Sequence, residues 1–79
     1  MGRDDNEHVW AERSKRFLKA ELKRAAVSYE DLAARLSTMG LPETKASIAS
    51  KLARGTFSAM FFVATMKAIG KDAVNLTDF

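Results

Sequence analysis

The chain has 79 residues and a mass of 8.7 kDa, contains no cysteine, and carries a formal net charge of +3 with a sequence pI near 9.5. At this size a single small hydrophobic core must hold the fold, with neither disulfides nor a thiolate metal site to assist it. No apolar run approaches the roughly 20 residues that a membrane-spanning helix needs, and the N-terminal MGRDDNEH lacks a signal-peptide pattern, so a soluble cytoplasmic protein is expected.

Residues 1–7 are polar and are expected to form a flexible terminus. From about His8 to Ala26 no Gly or Pro interrupts, and Trp10, Phe17, Leu18, Leu22 and Ala25 mark one stripe of a long first helix. Trp10 lies towards its overhanging end; packing within the molecule as a staple onto the last helix is favoured over a dimer contact. His8 is the only histidine. Asp4, Asp5 and Glu7 lie near it, but a metal site needs several convergent donors on an ordered frame, and no metal is expected here.

The charge is unevenly distributed. Between Arg13 and Arg24, the basic residues Arg13, Lys15, Arg16, Lys19, Lys23 and Arg24 face a single acid, Glu21, while other acids gather at Asp4 to Glu12 and at Glu30 and Asp31. Such asymmetry suits an anionic partner, although the solvated outer face of a helix gives the same pattern.

Ser28 followed by Asp31 has the spacing of a capping box, so a second helix is expected to start near Tyr29. Leu32, Ala33 and Leu36 recur at helical spacing, Glu30, Asp31 and Arg35 are left to solvent, and Gly40 supplies a left-handed stop. The segment Ser37–Glu43 is longer than the usual helix-turn-helix turn, with Met39 and Leu41 expected to fold back as apolar pegs. A third helix opens near Pro42–Thr44, buries Ile48, Ala49 and Leu52, and closes at Gly55. Its other side carries Lys45, Ser47, Ser50, Lys51 and Arg54 with no acid among them.

Ser58 caps a fourth helix bearing Met60, Phe61, Phe62, Val63, Met66 and Ile69. A helix this apolar is expected at the centre of the bundle, the alternative being a partly exposed dimer surface. Gly70 stops it, and the tail 71–79 keeps Val74, Leu76 and Phe79 for docking. The expected fold is therefore all-α: a compact bundle of four main helices over residues 8–70, with an extended first helix and an unusually long turn.

The segments LKAELKRAAVSYEDLAARL and SIASKLARG, followed by a capped apolar helix ending AIG, resemble the Cro/repressor type of helix-turn-helix domain over residues 18–70. The pattern WAERSKRFLKAELKRAAVSYEDLA with SIASKLARGTF is also similar, over Trp10 to Gly70, to a group of short bacterial proteins catalogued only as a domain of unknown function. The first resemblance implies a lambda-repressor-like core whose third helix enters the major groove of double-stranded DNA. Carried over residue by residue, it makes Lys45, Ser47, Ser50 and Lys51 groove contacts, and Thr44, Arg54, Thr56, Lys19 and Lys23 phosphate contacts. It also implies a homodimer reading two half-sites and a role in transcription regulation. No cofactor is implied.

A different class remains open: an antitoxin-like or adaptor module that holds a protein through the Phe57–Phe62 surface. Catalysis is not expected. The chain lacks a nucleophilic cysteine, a phosphate-binding glycine loop and paired carboxylates on a shared face.

Overall fold

A computed structural model describes the backbone of residues 3–79 and the side chains from Asn6 onward. Four helices follow one another: α1 (Arg3–Arg24), α2 (Tyr29–Thr38), α3 (Lys45–Arg54) and α4 (Ala59–Ala68), with a short 3-10 turn at Leu76–Asp78 and no strand among the described residues. The all-α bundle expected from the sequence is present. No described helix is long and apolar enough to cross a membrane.

The helix starts follow from their caps. Ser28, Thr44 and Ser58 hold extended backbone, and their hydroxyls accept from the N–H groups of Asp31, Ser47 and Phe61 at 3.0 Å each. The expected stops at Gly40, Gly55 and Gly70 are present, all with positive φ, and it is α1 whose bounds differ from the expectation. α1 starts at Arg3, five residues before His8, and stops at Arg24, before Ala26. Met1 and Gly2, the outermost part of the terminus expected to be flexible, lie outside the described residues. At the other end Val27 N–H donates to Leu22 O at 3.0 Å and Ala26 N–H to Lys23 O at 3.1 Å, a Schellman closure. That closure places Ala26 at φ +58, the left-handed region in which a Cβ is unfavourable by roughly 1–2 kcal/mol. The same pattern closes α2 at Gly40 and α4 at Gly70, where glycine removes the strain.

Leu18, Leu22, Leu32, Leu36, Ile48 and Leu52, none more than 2% exposed, form the centre of the core, with Phe17, Val27, Phe61, Ala64 and Met66 around them. α3 packs on both α1 and α2, and α2 packs on α4. The Arg35 guanidinium, expected to serve solvent only, donates to Ala68 O at 2.9 Å and so satisfies a carbonyl at the end of α4. The tail returns to α1: Phe79 stacks on Phe17 with ring centroids 4.2 Å apart, and Lys71 Nζ lies 3.4 Å from the buried Glu21 carboxylate.

Four expectations about burial need correction. α4 is not enclosed; Phe61, Ala64, Thr65 and Met66 face inward while Met60 and Val63 are 64% and 57% exposed. Ala49 lies on the solvent side of α3, because Ile48 and Leu52 alone fill the seam with α1 and α2. Of the two apolar turn residues, Leu41 packs against the core and Met39 stays exposed. Trp10 does not staple the last helix: it is 57% exposed and carries the Arg13 guanidinium 4.8 Å above its ring.

Candidate nucleic-acid interface

The α2–α3 pair is set by its shared core and by the two ends of α3. At the start, Thr44 and Ser47 cap each other: Ser47 N–H donates to the Thr44 hydroxyl at 3.0 Å, and Thr44 N–H donates to Ser47 Oγ at 2.9 Å. At the finish, Gly55 adopts φ +72, and a Cβ there would lie 2.2 Å from the carbonyl oxygen of Ala11. The α1 backbone therefore presses directly on the end of α3, and only a residue without a side chain allows this approach. The Met39–Thr44 connection has six residues and remains longer than a standard helix-turn-helix turn. Pro42 belongs to this turn and not to the first turn of α3.

The side of α3 expected to be free of acid is not. Glu43, just before the cap, folds back along the helix; its carboxylate accepts from Ser47 Oγ at 2.6 Å and forms an ion pair with Lys51. Its side chain is 11% exposed. Burial pushes the Glu43 carboxyl upward, but the hydrogen bonds from Lys51 and Ser47 and the Lys51 charge outweigh it, so the pKa lies below the ordinary carboxylate value. Lys51 Nζ also sits 5.0 Å above the Phe61 ring. Ser47 and Lys51, two of the four expected groove residues, are thus half-buried and engaged by Glu43.

The other residues are free to face solvent. Lys45, Ser50 and Arg54 are exposed along α3, interleaved with exposed Ala46, Ala49 and Ala53, and Arg54 Nη2 donates to Ser50 Oγ at 3.2 Å. Thr44 and Thr56 are exposed at either end of the helix. On α1, Lys19 and Lys23 share a stripe four residues apart and, among the described residues, form no ion pair. Their neighbours are partly neutralised: Lys15 pairs with Glu12 at 2.7 Å, and Arg24 pairs with Glu21. The hydrogen bond from Lys15 holds the exposed Glu12 carboxyl below its ordinary value against a smaller opposing effect of desolvation.

Glu43 is the residue that reading by helical face missed. It lies outside the helix, so a wheel drawn from Lys45 onward excludes it. The available signal was spacing: Ser47 and Lys51 follow it by four and eight residues, the positions above an N-terminal side chain that turns along a helix.

The geometry defines a small all-α bundle whose second and third helices form a capped pair with a partly basic outer side. Within that class, the chain belongs to the family described as a domain of unknown function (DUF6471), which matches residues 10–74. No curated protein and no solved structure matches it.

Proposed function

We propose that this protein is a DNA-binding regulator of the helix-turn-helix type, with α3 as the helix that enters the major groove of double-stranded DNA. The observation that carries the reading is the exposed surface of α3, where Ala46, Ala49 and Ala53 form a slim strip open to close approach, with Lys45 at one edge and Ser50 and Arg54 at the other. Support comes from the resemblance of residues 18–70 to the Cro/repressor type. Lys45 is the base-edge candidate, since an ammonium reaches guanine O6 and N7, and Ser50 accepts or donates to either base. Arg54, Thr44, Thr56, Lys19 and Lys23 serve phosphates, supplying affinity and register. Ser47 and Lys51, engaged by Glu43, hold the turn and set the tilt of α3. A dimer placing two such helices about 34 Å apart is the working form, because one helix with so few base readers binds weakly.

The test is selection from a pool of genomic fragments by the native protein and by the Lys45→Glu, Arg54→Glu double variant. A few enriched sequences for the native protein and none for the variant are expected. Equal recovery of unselected DNA by both would end the reading.

A second reading takes support from α4. Phe57 packs on Phe61 and Phe62, with centroid separations of 5.6 and 6.3 Å, so Met60 is the large apolar side chain left exposed in the Phe57–Phe62 surface, with exposed Val63 next to it. A protein-interaction module would use that pair. Loss of a co-purifying partner on Met60→Glu, with DNA selection unchanged, would favour it.

A further inference from the structure

Trp10 is the largest hydrophobic side chain left in solvent, 57% exposed, with Val9 beside it at 42%. It borders a shallow groove of about 490 Å³ formed where α1 crosses the end of α3, lined further by Asn6, Glu7, Ala11, Ser14, Gly55 and Thr56. Neither DNA contact nor the core accounts for an exposed indole at this place.

The order of charges around it identifies an occupant. Asn6 and Glu7, Trp10, and Arg13 and Ser14 recur every three to four residues, so they form one stripe along α1. Glu7 precedes Trp10 by three residues, Arg13 follows it by three, and all three side chains are exposed. Two such helices crossing antiparallel at Trp10 bring each residue before the indole against the residue equally far after it on the other chain. Glu7 then meets the partner subunit's Arg13, and by symmetry the pair occurs twice, as an isologous contact requires. A parallel crossing would oppose like charges at both places. The Arg13 guanidinium already lies 4.8 Å from the centre of the indole ring, a cation–π contact that favours one placement of the ring before any contact is made.

We propose that a second copy of this chain docks on the Asn6–Ser14 stripe of α1, in a two-fold antiparallel crossing centred on Trp10 and registered by Glu7 against the partner's Arg13. This surface rests on the exposure and charge order of α1 alone and does not depend on the DNA reading.

Sedimentation velocity over a concentration series tests it, on the whole chain and on Trp10→Ala, Glu7→Arg, Arg13→Glu and an equimolar mixture of the two charge variants. Circular dichroism establishes that each variant is folded. The native protein is expected to dimerise, and each single variant to need at least about tenfold higher concentration to do so. The mixture is expected to return to within about threefold of the native midpoint, because it re-forms two opposite-charge pairs. The charge variants keep the test decisive even if Trp10→Ala unfolds. A native protein that stays monomeric up to about 100 μM, charge variants that dimerise as the native does, or a mixture that fails to recover would each overturn the proposal.

Discussion

The polar residues of α3 are of the same kinds and differ in what the preceding turn offers them. Ser47 and Lys51 meet Glu43, whose side chain is largely buried, and the three form a network that ties the turn to the helix. Glu43 does not engage Lys45, Ser50 or Arg54, which are exposed, Arg54 donating to Ser50 Oγ. A lysine on a helix face is thus not yet a ligand for phosphate. Whether it is available depends on a carboxylate outside the helix, and here that carboxylate divides one basic face into a structural half and a recognition half.

The change expected to break both halves at once is Gly55→Ala. Its Cβ would lie 2.2 Å from a backbone oxygen of α1, and its φ of +72 is strained for alanine. Backbone cannot yield as a side-chain tip can, so a loss of roughly 4 kcal/mol, or failure to fold, is expected in urea titration. Next comes Lys51→Ala, which leaves the Glu43 carboxylate with Ser47 as its remaining partner. A loss of about 1–2 kcal/mol is expected, whereas Lys45→Ala should stay within about 0.5 kcal/mol of native. Equal effects of the two substitutions would erase the distinction between the halves.

Acid titration sharpens the same contrast. Because the folded-state pKa of Glu43 is depressed, its stabilisation is fully present above the unfolded value of about 4.3 and disappears as pH falls through the folded value. The native protein should therefore lose stability below about pH 5 more steeply than Lys51→Ala does, measured by thermal melting between about pH 6 and 3. The smallest effect concerns Thr65, which is fully buried with no hydrogen-bond partner for Oγ1 among the described residues. Thr65→Val keeps the shape and removes the unsatisfied hydroxyl, so a gain of about 1 kcal/mol is expected, with no change in either half of α3.

Local signals carried much of the fold. Three side-chain caps and three left-handed glycines marked most helix boundaries before any tertiary contact was known, because those interactions lie within six residues of one another. Ala26 escaped that reading: its left-handed conformation follows from the need to bury Leu22 and Val27 together, and its own chemistry argues against it. The candidate site was legible only in part. Lys45, Ser50 and Arg54 are exposed, but the engagement of Lys51 depends on Glu43, which the spacing places above Ser47 and Lys51 only once the turn is taken to continue the line of the helix. The position of α4 was obscured for a related reason. Its sequence is apolar on most sides, and only Lys67, in line with exposed Met60 and Val63, marks the solvent side, while Thr65, the other polar residue, is buried.

The central claim, that Lys45, Ser50 and Arg54 recognise DNA while Ser47 and Lys51 hold the turn, is tested most directly by the salt dependence of DNA binding. The slope of log affinity against log salt, and the preference for selected over unselected sequence, would be measured for the native protein and for Lys45→Gln, Arg54→Gln and Lys51→Gln, at a temperature where all four are folded. Arg54→Gln should reduce the slope by about 1, Lys45→Gln should relax the sequence preference, and Lys51→Gln should leave both unchanged. A slope that falls with Lys51→Gln and is indifferent to Arg54→Gln would contradict the division of the helix. The absence of any salt-dependent binding by the native protein would remove DNA from the account.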